Sequence, residues 1–124
     1  MRPLRRTICQ CAQCGEITMV DKLYLFSLTD EKVIERIFED DNAAINHMVL
    51  RREDALPEHR ANSNVYMIVV RGDITLQLDD QQPHSYPSGS ILAIPYRTLM
   101  NVSNQHDEVA EIFVVKAPGP AKMV

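Results

Sequence analysis

The sequence predicts an all-β chain folded as one domain, a sandwich or barrel of antiparallel strands, and three observations carry that prediction. From Val65 onward, short apolar runs alternate with turn signals every eight to twelve residues, the layout of a sandwich or barrel of antiparallel strands. Within a run the period is two: Ile74, Leu76 and Leu78 fall on one face of "ITLQL", Thr75 and Gln77 on the other. Finally, 124 residues that are 45% apolar and 24% charged enclose one core and are too few for two, and four glycines exclude a collagen-like or low-complexity chain.

Residues 1–18 stand apart from the rest. Arg2, Arg5 and Arg6 against Glu16 give this leader a net +2 in a chain of net −4, so residues 19–124 carry −6. Cys9, Cys11 and Cys14 all lie in it, and "CAQCG" has the spacing of a zinc knuckle. A structural zinc site needs four ligands, the nearest histidine is His47, and three thiols cannot close a disulfide framework. An incomplete knuckle shared between subunits and a redox dithiol compete with an inert, poorly ordered leader, which the lack of periodicity favours. Met19 opens the first patterned stretch and is a candidate start, so the barrel domain is assigned to residues 19–124.

"DKLYLFSL", residues 21–28, is expected to be the first strand. Residues 29–40 are ambiguous: Val33, Ile34, Ile37 and Phe38 sit at helical spacing, but β-branched residues tip the reading to a strand. "NAAINHMVLRRED" supplies another strand, of undetermined inward face. Val65–Val70 is apolar on both faces, Val65, Met67 and Val69 opposed to Tyr66, Ile68 and Val70, so protein must cover both sides. After the turn at Arg71-Gly72-Asp73, "ITLQL" is read as the returning arm of a hairpin. "DDQQPHSYPSG" reads as a polar connection broken by Pro83, Pro87 and Gly89. "SILAIPY" and "TLMNVSN" are strands flanking Pro95, and Val109–Lys116 is the last strand, ended by Pro118 and Pro120.

No apolar run approaches the roughly 18–20 residues of a membrane span, and no apolar segment follows the basic N-terminus to make a secretory signal. A cytoplasmic setting without membrane contact is therefore expected. No basic stripe exists to neutralise a phosphate backbone, so nucleic acid is not an expected partner.

Two stretches resemble the motifs of the cupin superfamily. "EDALPEHRANSNVYMIVVRG" fits the frame G, five residues, H-x-H, three or four residues, E, six residues, G: Glu53 stands at the first glycine, then His59, Ala61, Val65 and Gly72. "GSILAIPYRTLMNVSN" fits G, five residues, P-x-G, two residues, H, three residues, N, with Gly89, Pro95, Arg97, Met100 and Asn104 in register and sixteen residues between the motifs. The resemblance covers about residues 43–116 and implies a six-to-eight-stranded cupin-type jelly-roll barrel, usually dimeric. In metal-binding cupins two histidines, a glutamate and a further histidine hold one divalent ion. Here His59 remains, with Ala61, Val65 and Met100 at the other positions. One imidazole beside a methyl, an isopropyl and a thioether would hold iron, manganese or nickel poorly, so neither a metal nor another cofactor is expected.

The expectation is a degenerate, metal-free cupin that binds a small organic molecule in the barrel, as a sensor, carrier or accessory module. His59, Asn62, Asn64, Met67, Tyr96, Met100 and Asn104 are the ligand-contacting candidates. A rim histidine hydrogen-bonded to backbone competes as the role of His59, turn stabilisation as that of the asparagines, and core filling as that of the methionines. Arg97, near the pocket entrance, could clamp a carboxylate, and a surface residue paired with one of the many acids is the competing reading. No catalytic residue is assigned. The alternatives are a small isomerase or lyase using His59 as general base, with His47 or Tyr96 as partner, an oxygenase with unusual metal ligands, or a filled barrel. The two-faced strand predicts a homodimer across Tyr66, Ile68 and Val70, with residues 22–28 added at the sheet edge; the competing expectation folds residues 20–40 back over that face.

Overall fold

A computed structural model of the chain describes residues 20–123. The Cys9-Cys11-Cys14 leader lies outside them. The order is β1 (Val33–Glu39), β2 (Ala44–Leu50), β3 (His59–Arg60), β4 (Val65–Arg71), β5 (Asp73–Leu78), β6 (His84–Pro87), β7 (Ile91–Ile94), β8 (Leu99–Ser103), β9 (Ala110–Lys116) and a 3₁₀ turn, Pro120–Met123. One sheet has the order β1-β2-β9-β4-β7, the other β3-β8-β5-β6, and every pairing is antiparallel. Without β1 these are the two four-stranded layers of a jelly roll. The inward residues of both layers, among them Leu50, Met67, Ile74, Leu76, Ile94, Val102 and Ile112, are almost wholly buried and form one core.

Three sequence expectations change. β4 and β5 do not form a hairpin: β4 pairs β7 and β9, whereas β5 pairs β6 and β8 in the other layer. The cause lies at Gly72. Its φ is +69°, and a Cβ there would collide with the Val109 carbonyl oxygen, so the chain steps between layers where only glycine fits. The connection read through residues 79–89 contains a strand, β6, in which Tyr86 packs against the core and Ser85 meets Thr75. Pro87 is tolerated in it because β6 is an edge strand.

Residues 21–28 are not a strand. They lie on a face of the sheet rather than along its edge. Phe26 stands edge-on to Phe113 at 4.8 Å, Tyr24 packs on Phe38 at 5.0 Å, and Ser27 donates from its amide and hydroxyl to Glu35. The edge position belongs to β1, the stretch with helical spacing. A bulge between Arg36 and Phe38 resolves that ambiguity. It puts Val33 opposite Val49 and Phe38 opposite Ile45. That odd spacing on one face of a strand requires an extra residue and mimics a helical period.

Candidate functional site

The barrel is open at the end where β9 finishes and β4 begins. Alternation along β9 turns Ile112, Val114 and Lys116 inward, and Lys116 lies between Ala44 of β2 and Val65 of β4. The rim beside it is tied by short bonds. Arg97 N donates to Ala61 O at 2.8 Å, and Ala61 N donates to Thr98 O at 2.9 Å. The buried Ser63 hydroxyl donates to Pro118 O at 2.6 Å, and the Asn64 amide oxygen accepts from Tyr96 N at 3.2 Å. Asn64 is thus a fastening between three segments.

Inside this rim is a cavity of about 40 Å³ with mostly apolar walls, Met67 and Met100 among them, to which Asn46, His59, Asn62 and Lys116 bring polar groups. That is room for a water or two, far below the roughly 300–1,000 Å³ of typical ligand pockets. Sharing Ala61 and Asn62 with it is an open groove of about 530 Å³, walled by Glu39, Arg60, Tyr96, Arg97 and the 3₁₀ turn. Five of the expected site residues meet here: His59, Asn62, Met67, Tyr96 and Met100. Asn104 lies elsewhere, fully buried, its amide nitrogen donating to Leu50 O and Glu108 O and its oxygen accepting from His106 N. His47 is also elsewhere, on the outer face of the five-stranded sheet, and cannot partner His59.

Lys116 was absent from the sequence candidates, yet counting by twos from the inward Val114 finds it. Burial pulls its ammonium below the ordinary lysine range, Glu39 acting against the shift and Arg36 with it. His59 is exposed on β3, and its Nδ1–H donates to Pro57 O at 3.0 Å. The residues do not fit the metal that cupins commonly hold: Ala61, Val65 and Met100 offer no oxygen or nitrogen donor, and no group of three His, Cys, Asp or Glu among the described residues could hold an ion.

Backbone geometry preserves the motif frame where the side chains depart from it. Glu53, Gly72, Gly89 and Arg97 stand at the four positions where the cupin motifs carry glycine, and all four have positive φ: +69°, +69°, +94° and +76°. Two are held by residues that adopt this conformation at a cost.

Two stacked sheets interleaved as a jelly roll, with a rigid open end, define a small barrel protein of the double-stranded β-helix type. No family model matches the chain. It is 40% identical over 106 residues, 85% of its length and 91% of the relative's, to an uncharacterized protein of Methanocaldococcus jannaschii. The crystal structure of that protein, an RmlC-like cupin family protein with a double-stranded β-helix fold, matches with a TM-score of 0.83 at 39% identity, covering 86% of this chain and 98% of that one. A cupin superfamily protein of Desulfitobacterium hafniense shares the fold at a TM-score of 0.63 and 10% identity, over 75% of this chain and 83% of its own. A Klebsiella pneumoniae protein with a double-stranded β-helix domain does so at 0.66 and 14%, over 77% and 84%. The chain belongs to the cupin family.

Proposed function

We propose that this cupin binds a small organic molecule at the open end of the barrel, with the ligand's body in the groove rather than deep in the core. The observation that carries this reading is the adjacency of a nearly filled interior to a groove of about 530 Å³ across the shared residues Ala61 and Asn62. A filled core keeps the fold rigid, and a rigid rim positions polar groups at low entropic cost. The role is that of a sensor, carrier or accessory module in the cytoplasm, without a cofactor. A fragment screen followed by amide NMR tests it: shifts concentrated on Ala61, Asn62, Tyr96 and Arg97 are expected. A screen in which every hit falls elsewhere overturns it.

His59 and Lys116 line one cavity, and this favours a second reading, an acid–base enzyme acting on the same ligand. Turnover of a hit, abolished in His59→Ala while binding persists, would select it.

The outer face of the five-stranded sheet is proposed as a homodimer contact. Residues 22–30 cover its β1-β2-β9 side, and Tyr66, Val70 and Ile91 stay 41%, 43% and 69% exposed on the β4-β7 side, next to the unpaired edge of β7. Leaving such side chains in water forgoes on the order of 1.5–3 kcal/mol each on full burial. Light scattering should give a dimer at micromolar concentration, and Ile68→Glu a folded monomer; a monomeric parent chain refutes the contact.

A further inference from the structure

Among the described residues, the arginines that no carboxylate neutralises lie at the open end. Six arginines lie among the described residues. Arg36, Arg51, Arg52 and Arg71 each pair with a carboxylate, at 3.6, 3.5, 3.1 and 2.7 Å. Arg60 and Arg97 have no carboxylate partner among the described residues, and both wall the groove. Arg60 Nη1 donates to the Arg97 carbonyl at 3.1 Å, and the Arg97 guanidinium lies 5.0 Å from the Tyr96 ring centroid, so both are held in place without being neutralised. Lys116, in the adjoining cavity, likewise has no ion-pair partner there. Glu39, the one acid of the groove, is engaged by Arg36. In a chain of net −4, two unpaired arginines and a lysine that Glu39 attracts without an ion-pair contact, set along one crevice, are a charge arrangement in want of an anion.

A second, independent observation concerns Arg97 itself. It occupies a φ of +76°, where glycine is the unstrained residue and an arginine gains nothing for the backbone. Strain kept at a groove wall, by a side chain with no internal ion pair, indicates a task outside the fold.

Resting on the reading of this groove as a ligand site, we infer that its ligand is a small dicarboxylic acid: one carboxylate enters the inner cavity against Lys116 and Asn62, and the other meets Arg60 and Arg97 in the groove. A cavity of about 40 Å³ admits a carboxylate but not the body of a molecule, which fixes the order of the two ends. Guanidinium donors suit the outer carboxylate, because their planar fork can take both oxygens.

The test titrates the full chain with malonate, succinate and glutarate at constant ionic strength, followed by amide NMR, beside neutral succinamide and inorganic phosphate. At least one diacid should saturate below about 10 mM, with succinamide without effect and Lys116→Met and Arg97→Gln each weakening binding about tenfold. No saturation by any diacid, or affinity unchanged in both variants, overturns the inference. Tighter phosphate binding with the same dependence on Lys116 and Arg97 also overturns it, in favour of a phosphate ligand. Neutral fragments that still shift Asn62 and Tyr96 would leave the ligand site standing while this inference falls. Arg97→Gly relieves the backbone, so its loss of diacid binding in a chain at least as stable as the parent cannot be ascribed to unfolding.

Discussion

Two charged clusters sit on this small barrel, and they are built in opposite ways. On the outer face of the five-stranded sheet, Asp30, Arg71, Glu111, His47 and Glu35 form a closed series. Arg71 donates to Asp30 at 2.7 Å and to Glu111 at 2.9 Å; His47, fully buried, has Nε2 2.6 Å from Glu111 and Nδ1 2.8 Å from Glu35. Glu35 closes the series by accepting from Ser27. Every charge has a partner, and the product is structural: residues 22–30 are fastened over the sheet, with Phe26 against His47 and Phe113. At the open end Arg60 and Arg97 have no carboxylate partner among the described residues, and Lys116 has only the attraction of Glu39, which Arg36 engages. A satisfied cluster has nothing left to bind, whereas an unsatisfied one costs stability and keeps its charge available to a ligand.

Breaking the closed cluster should produce the largest effect. Glu111 serves His47 and Arg71 together, and its carboxylate is 13% exposed. Glu111→Ala leaves the buried imidazole of His47 with Glu35 alone and the half-exposed guanidinium of Arg71 with Asp30, for an expected loss of about 1–3 kcal/mol in urea denaturation. Glu111→Gln should lose less, because its amide oxygen still accepts from one of them. A loss under about 0.5 kcal/mol would make the network a surface ornament of the usual weak kind.

The sequence made the barrel legible and the closed cluster invisible, for physical reasons. Period-two alternation and the positions of Gly72, Gly89, Pro95 and Asn104 are local signals, and they predicted β4, β5, β7, β8 and β9 as strands. Strand pairing is not local. The hairpin reading failed because nothing in Arg71-Gly72-Asp73 distinguishes a return from a step between layers until Val109 is seen against Gly72. His47 looked like a possible partner of His59 because the inward face of β2 was undetermined, and its carboxylates come from 12 residues upstream and 64 downstream. At the open end, motif spacing brought His59, Met67, Tyr96 and Met100 to one place. It also included Asn104, whose amide is taken up by backbone, and missed Lys116, which the motifs do not contain.

Two substitutions at positive φ sharpen the comparison with a smaller effect of opposite sign. Glu53→Gly and Arg97→Gly should each stabilise the fold by about 1 kcal/mol, as both replace a strained residue with glycine. Only Arg97→Gly should lose diacid binding, since Glu53 lies outside the cavity and groove. Equal stabilisation with equal binding would mean that Arg97 is kept for neither purpose.

The smallest effect is on acid stability, and it again separates the clusters. Burial alone would raise the Glu35 carboxyl, but hydrogen bonds from the Ser27 amide and from His47 outweigh it and hold the group below the ordinary glutamate range. Between the folded and unfolded values the unfolded chain binds more protons. The stabilisation from Glu35 is therefore present above the ordinary glutamate range, near pH 4.3 to a rough approximation, and is lost as pH falls through the lower folded value. Since the Ser27 amide donates to Glu35 at 2.8 Å, its hydrogen exchange reports directly on this contact. Protection of Ser27 should be lost on acidification before that of the buried Ile112 amide in the core. In Glu35→Gln, Ser27 protection should start lower at neutral pH and change little with acid. At the open end Arg60 and Arg97 have no carboxylate partner among the described residues and Glu39 attracts Lys116 without an ion-pair contact, so the amides there should change less with acid than that of Ser27. If Ser27 and Ile112 instead lose protection together, the fastening of residues 22–30 is part of the global fold and not a locally closed cluster.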